Sequence, residues 1–244
     1  MTKNFSQFYA QLKAARQFSD VLMHPYLKDF EAGELPRPHI ESVWSHQQAC
    51  LSRSFSHCMG ALFSKMPSDM IDEGKRLVDI ICAETWDSKS VDNHHALFKK
   101  MIGSFKGLQT REFIVLDSTS KFVNNRQKFL MDSNIFRCLG ILTENEFLNA
   151  DMTGNAGIMV SYATGLQKMG YSSEVCEYAQ AHVEEERHDV TLMLTIYKSL
   201  LSSPRKLSEM GVSRLEAEAE FSEGCNTICN LRVNFFDGLL ESVF

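Results

Sequence analysis

The sequence predicts an all-α protein that folds as one domain over residues 1–244. Three observations support this. Glycine and proline are scarce, with 13 and 5 residues respectively. Apolar residues recur at helical spacing nearly throughout, and no alternating run is long enough for a strand. With 44% hydrophobic residues the chain can bury one sizeable core, and no repeat, low-complexity tract or linker divides it.

The predicted helices follow one another with short breaks. The first covers roughly Phe5–Phe30 and ends at the Gly- and Pro-containing segment 31–36. The second begins near Pro38, a favoured first-turn residue. The segment Thr110–Lys128 has no clear pattern. The other helices are predicted at about Ser68–Trp86, Asp92–Lys106 with Asp92 as N-cap, Asp132–Ala150, from the break Thr153–Gly157 to Gly170, Ser173–Leu200 with Ser173 as N-cap, and a last pair within Ser208–Val243.

The composition argues against several classes of function. The net charge is −6 without any block of Lys or Arg, which argues against nucleic acid or an anionic membrane as partner. No apolar stretch approaches the roughly 18–20 residues that span a bilayer, and the N-terminus lacks the features of a signal peptide. Seven cysteines without CxxC pairs indicate small buried hydrophobes in a reducing compartment. We therefore expect a cytoplasmic protein.

The helix predicted over 175–200 carries ionisable residues on its apolar face. Burying unpaired ions costs several kcal/mol each unless a cation or a dense hydrogen-bond network holds them. The sequence therefore predicts a metal site here. At about 100° per residue, five apolar side chains share one face with an imidazole and two carboxylates: Val175, Ala179, Met193, Ile196 and Leu200 with His182, Glu186 and Asp189.

Three further ionisable residues are in phase with apolar stripes on other predicted helices, namely Glu84, His94 and Glu146. Alone, each is compatible with a hydrogen-bonded residue near a helix end. Together with His182, Glu186 and Asp189 they form the ligand set of a carboxylate-bridged two-metal site between facing helices. Mixed imidazole and carboxylate ligands favour iron or manganese.

The same phase test places Glu144 and His188 about 100° or more from their apolar stripes. Glu185 and His188 form a Glu-x-x-His pair, the ligand motif of ferritin-like bundles. A ferritin-like bundle needs two such pairs and the sequence has one, which argues against that class.

The residues that carry these ligands resemble the haem-oxygenase-like diiron oxidase and oxygenase superfamily, and within it the CADD-like proteins. The helical bundle of this superfamily is shared with TenA thiaminases and PqqC-type oxidases, so the resemblance implies a single haem-oxygenase-like domain. The likeness covers most of the chain and is carried by four segments: HPYLKDFEAGEL, CAETWDSKSVDNHHALFKKM, CLGILTENEFLNA and GLQKMGYSSEVCEYAQAHVEEERHDV. The family ligands map onto Glu84, His94, Glu146, His182, Glu186 and Asp189.

One ligand position departs from the family pattern. The family has a final His where this chain has Asp189, and His188 stands one position earlier. In a regular helix Asp189 shares the face of His182, whereas His188 lies about 120° away. Helical phase therefore favours Asp189. A π-bulge or a 3₁₀ turn would change that phase, so both residues stay open as the last ligand.

The resemblance implies oxidation of a small molecule by O2 at two iron ions, with manganese as an alternative metal. The substrate is not readable from the residues, and a homodimer is left open. Two other functions stay open. One is a metal-free TenA-like hydrolase, for which Cys138 lies near the appropriate helix, and the other is a catalytically silent CADD-like interaction protein.

Overall fold

This computed structural model describes residues 6–13, 18–83, 94–105, 114–150 and 157–244. These residues form thirteen α-helices and no strand. The predicted all-α class is confirmed. None of these helices is both long enough and apolar enough to cross a membrane. They are α1 (Ser6–Lys13), α2 (Phe18–Leu22), α3 (Pro25–Ala32), α4 (Arg37–His39), α5 (Ser45–Phe63), α6 (Ile71–Ala83), α7 (His94–Gly103), α8 (Asp117–Asp132), α9 (Ile135–Asn149), α10 (Ile158–Lys168), α11 (Ser173–Leu201), α12 (Pro204–Glu209) and α13 (Arg214–Glu241).

The single helix predicted over Phe5–Phe30 is wrong, because the chain forms α1, α2 and α3 there. The break before α3 follows from Pro25, which disfavours helical backbone at the residue before it. His24 accordingly has φ −58° and ψ 133°, and its side chain accepts a hydrogen bond from the Tyr26 backbone N–H. The proline therefore begins a new helix instead of continuing the old one.

A π-helical segment, Ile40–Trp44, joins α4 to α5, so the helix predicted from Pro38 is continuous but not regular. The wider turn changes the helical phase. Val43 is half-buried, whereas the polar Ser42 is buried. Trp44 is buried, and its ring centroid lies 5.1 Å from that of Tyr162.

Helix α9 lies at the centre of the bundle. It packs most extensively against α13, then against α11, and it also contacts α5, α8 and α10. Arg137 is its only residue that is not buried. A helix covered on all sides has no exposed face, so its sequence shows no simple amphipathic pattern.

Glycines allow the backbones of α9 and α13 to touch. A Cβ atom at Gly140 of α9 would overlap the carbonyl oxygen of Phe221 on α13, and one at Gly224 would overlap the carbonyl oxygen of Arg137. Gly165 of α10 lies in the same way against the carbonyl oxygen of Phe30 on α3. These crossings require the absence of a side chain.

The expectation that all seven cysteines are buried is wrong for two of them. Cys82 is exposed and Cys50 is half-buried, while the other five are buried and all seven are free thiols. Cys82 lies on α6, about 140° around the helix from the buried Leu77, and therefore faces away from the core.

His39 is a buried neutral histidine, and its protonation opposes folding. Its Nε2 lies 3.1 Å from the hydroxyl of Tyr26, and burial lowers the pKa of His39 from 6.5 to about 4. Between these two values the unfolded chain takes up a proton that the folded chain does not. The free energy of unfolding should therefore fall as pH decreases through this window.

We expect His39→Gln to show a smaller loss of stability between pH 7 and pH 5 than the wild type, measured by urea unfolding with circular dichroism. His57→Gln is the matched control, because His57 is exposed on α5. Equal pH dependence in wild type and His39→Gln would show that other groups cause the loss.

Candidate metal centre

Three carboxylates come together where α9 packs against α11. The ligand oxygens of Glu146, Glu186 and Asp189 all lie within 4.8 Å of one another. Glu146 and Glu186 are 1% and 5% exposed, and Asp189 is half-buried. Glu186 and Asp189 are three residues apart, so they share a face of α11.

A cavity of about 40 Å³ adjoins these groups. Among the described residues it is lined by side chains of α5, α8, α9, α10, α11 and α13. Glu146, Glu186 and His182 form one part of the lining, and Leu51, Phe55 and Met159 form an apolar part. The rest is polar or basic: Gln48, Ser52, Arg126, Asn145, Asn149, Tyr178 and Arg232.

Two asparagines orient the two buried glutamates. Asn145 Nδ2 donates to Glu146 Oε1 at 2.7 Å, and Asn149 Nδ2 donates to Glu186 Oε1 at 3.2 Å. Arg232 Nη2 donates to both amide oxygens, at 2.8 Å for Asn145 and 3.5 Å for Asn149. Because arginine only donates, it fixes the orientation of each amide, so each Nδ2 points at a carboxylate.

Glu186 has a buried oxygen that no described residue satisfies. Its Oε2 has no hydrogen-bond partner among the described residues, although Oε1 is bonded to Asn149. An unpaired buried carboxylate oxygen is costly, and a bound cation would remove that cost. Glu186 Oε2 is therefore a candidate ligand atom.

His182 has its tautomer set by the backbone of its own helix. Its Nδ1 lies 2.7 Å from the carbonyl oxygen of Tyr178. Since a carbonyl accepts only, Nδ1 donates, and the neutral ring then carries its lone pair on Nε2. Metal-ligating histidines commonly have this arrangement. The Tyr178 hydroxyl in turn lies 3.0 Å from Ser52 Oγ and 3.3 Å from Gln48 Nε2.

The six predicted ligands divide into two groups. Glu146, His182 and Glu186 line the cavity, and Asp189 joins the carboxylate cluster. The other two cannot be placed: Glu84 lies outside the described residues, and His94 begins α7 with its side chain outside them.

The last ligand position has a definite local geometry. Helix α11 is α-helical from Ser173 to Leu201, without a π-bulge or 3₁₀ turn. His188 is exposed, whereas the adjacent Asp189 lies with Glu146 and Glu186. The regular helix therefore directs the Asp189 carboxylate, and not the His188 ring, towards the cluster.

Glu144 is buried although the phase test placed it away from the apolar stripe of α9. It is 0% exposed, because α9 is covered on all sides. It faces α13, where Cys229 Sγ lies 3.6 Å from Glu144 Oε1. Burial raises the pKa of Glu144 well above its usual range.

Sequence reasoning also missed the polar groups around the carboxylates, namely Arg126, Arg232, Asn145 and Asn149. A signal was present for the arginines. Arg126 lies one helical turn from both Phe122 and Leu130, and Arg232 lies one turn from Ile228 and Phe236, so both belong to buried stripes.

Comparison with known proteins gives a likeness of fold. No protein-family model matches the sequence, and no curated protein is similar to it. A TenA homologue from P. horikoshii has a similar structure, with TM-score 0.67, 13% sequence identity and coverage of 95% of this chain and 97% of that one. A TenA homologue from Pseudomonas syringae pv. tomato gives TM-score 0.69, 12% identity and coverage of 96% and 91%. The chain therefore has the all-α helical fold of the TenA homologues.

Proposed function

We propose that the protein is an O2-dependent non-haem oxidase or oxygenase with two metal ions, iron or iron and manganese, acting on a small molecule. The observation that carries the proposal is the convergence of Glu146, Glu186 and Asp189 within 4.8 Å. Like charges at such separations disfavour one another's ionised forms unless a cation lies between them. Carboxylates with imidazole form a donor set that suits iron or manganese.

The residues around the cluster fit a metal. Glu186 Oε2 has no hydrogen-bond partner in the described part of the chain, and the tautomer of His182 carries its lone pair on Nε2. Asn145 and Asn149 hold the other carboxylate oxygens in place, as outer hydrogen-bond partners do in metal sites. We propose Glu146, His182, Glu186 and Asp189 as ligands, with Glu84 and His94 completing the set.

In the proposed site the metal and the side chains have different roles. Iron(II) bound there would supply the redox reactivity with O2 that amino-acid side chains lack. The protein orients the carboxylates through Asn145 and Asn149, and it keeps the proton of His182 on Nδ1, which donates to the carbonyl oxygen of Tyr178. Leu51 and Phe55 give the cavity an apolar side that limits entry of water.

A TenA-like hydrolase without metal is the second candidate, favoured by the likeness of fold. The cysteine considered for it has an unfavourable environment. Cys138 is buried, its thiol donates to the carbonyl oxygen of Leu130 at 3.1 Å, and burial raises the pKa of the thiol to about 11. It is therefore protonated at neutral pH, and no cysteine is among the described cavity residues.

Metal analysis tests the proposal. Protein loaded anaerobically with Fe(II) and desalted should retain about two iron ions per chain, as expected for a carboxylate-bridged site. It should also consume O2 and develop an absorption band on exposure to air. Metal content near zero without O2 consumption would eliminate the dimetal enzyme and leave the hydrolase or an interaction protein.

The last ligand can be tested with adjacent residues. We expect Asp189→Ala to lower the metal content by about one ion per chain, because its carboxylate lies in the cluster. His188→Ala is the matched control, since His188 is exposed one position earlier and should leave the metal content unchanged. Loss of metal in His188→Ala alone would show that the histidine is the ligand.

A further inference from the structure

Two arginines are buried beside the cavity. Arg126 of α8 is 2% exposed and Arg232 of α13 is 5% exposed. Both guanidinium groups lie near the ring of Phe122, at 5.0 Å and 4.9 Å from its centroid. Both line the same cavity as Glu146 and Glu186. Arginines this deeply buried are uncommon unless an anion pairs with them.

The described residues supply neutral partners only. Arg126 Nη2 donates to Ser54 Oγ at 2.6 Å, and Arg232 Nη2 donates to the amide oxygens of Asn145 and Asn149. The Nε of each arginine is buried without a hydrogen-bond partner. Among these residues, no carboxylate lies within ion-pair distance of either group. Each guanidinium therefore keeps a buried Nε–H donor that no described residue accepts, and neither has an ion-pair partner among the described residues.

Arg232 is charged at neutral pH despite its burial. Burial and the neighbouring charge of Arg126 lower the pKa of Arg232 to about 10, which still leaves it protonated. Burying a cation without full compensation is costly, so the two buried arginines indicate a place for an anion. The charge of Glu146 raises the pKa of Arg232 in part, but no described carboxylate forms an ion pair with either arginine.

The size and shape of the site favour a carboxylate as this anion. A planar guanidinium matches the two oxygens of a carboxylate, and a cavity of about 40 Å³ admits only a small group. Leu51, Phe55 and Met159 offer an apolar surface for the body of such a molecule. The acidic part of the cavity would repel the same anion unless metal is bound there.

We propose that Arg126 and Arg232 bind the carboxylate of a small organic acid, which is the substrate of the adjacent metal site. This proposal rests on the proposed function, because bound metal offsets the repulsion between the acidic part of the cavity and the anion. Arg126 is the cleaner residue to test, because Arg232 also orients Asn145 and Asn149.

The test compares propionate with propionamide, which has the same shape without the charge. Binding is measured by isothermal titration calorimetry, on Mn(II)-loaded protein and on protein treated with EDTA. We expect propionate, but not propionamide, to bind, and Arg126→Gln to weaken propionate binding by about tenfold or more. Lys128→Gln, an exposed cation on the same helix, should bind as the wild type does. Gln at position 126 retains the ability to donate to Ser54.

Failures of the two proposals are distinguishable. Elemental analysis of the same samples reports whether manganese binds, independently of propionate. Manganese binding with unchanged propionate affinity in Arg126→Gln would overturn the carboxylate site and leave the metal site standing. The carboxylate site would also be overturned if the wild type bound propionate and propionamide equally, or bound neither. These outcomes concern the wild type alone, so they hold even if Arg126→Gln fails to fold.

Discussion

Replacing Glu146 with glutamine is expected to remove at least one metal ion per chain and to abolish O2 consumption. The substitution keeps the size of the side chain but takes away the negative charge and the metal-binding strength of its oxygens. Glu146 lies in the carboxylate cluster, and its Oε1 is already held by Asn145. The measurement is metal content by elemental analysis, with O2 uptake on the Fe(II)-loaded protein.

The matched control is Glu144→Gln. Glu144 is equally buried on the same helix, but it faces Cys229 on α13, and burial raises the pKa of its carboxyl group well above the usual range. Glutamine there keeps the size of a side chain that lies outside the carboxylate cluster, so the metal content and the circular dichroism spectrum should stay as in the wild type. Equal metal content in Glu146→Gln and Glu144→Gln would contradict a metal site on this face of α9.

Gly140→Ala should be one of the most destabilising single-methyl additions in this protein. The new Cβ would overlap the carbonyl oxygen of Phe221, so α9 and α13 would have to separate along their crossing. Overpacking of this kind costs about 1–3 kcal/mol and more where backbone must move. We expect a loss of about 3 kcal/mol or more in the free energy of unfolding, measured by urea denaturation.

Gly60→Ala provides the opposite case. Gly60 lies within α5, and a Cβ there would meet nothing within 4 Å. Since alanine favours helix over glycine by about 0.5–1 kcal/mol, this variant should gain stability. A neutral effect of Gly140→Ala would mean that the two helices can shift apart without loss of packing.

Most of the fold was predictable because most helices keep one exposed face. The stripe on α11 was correctly read, and both His182 and Glu186 are buried. Helix boundaries were less predictable where backbone chemistry overrides periodicity. Pro25 divides a segment that looks continuous, and the π turn at Ile40–Trp44 changes the phase before α5.

The candidate site was predictable only in part, for two physical reasons. Helix α9 is buried on all sides, so no solvent-facing direction exists by which Glu144 could be excluded. Arg126 and Arg232 occupy buried stripes, but long basic side chains at such positions commonly cover apolar surface with their stems and keep their charge in water. Sequence spacing does not show whether the guanidinium reaches solvent.

The complete burial of α9 also bears on how the molecule opens. Amide hydrogens in such a helix exchange with solvent mainly when large parts of the structure unfold, whereas short peripheral helices such as α12 open locally. Asn145, Glu146 and Asn149 all lie in its last two turns. Deuterium uptake there should therefore be among the slowest in the protein. The carboxylate geometry on α9 would then persist through the fluctuations that loosen the surface.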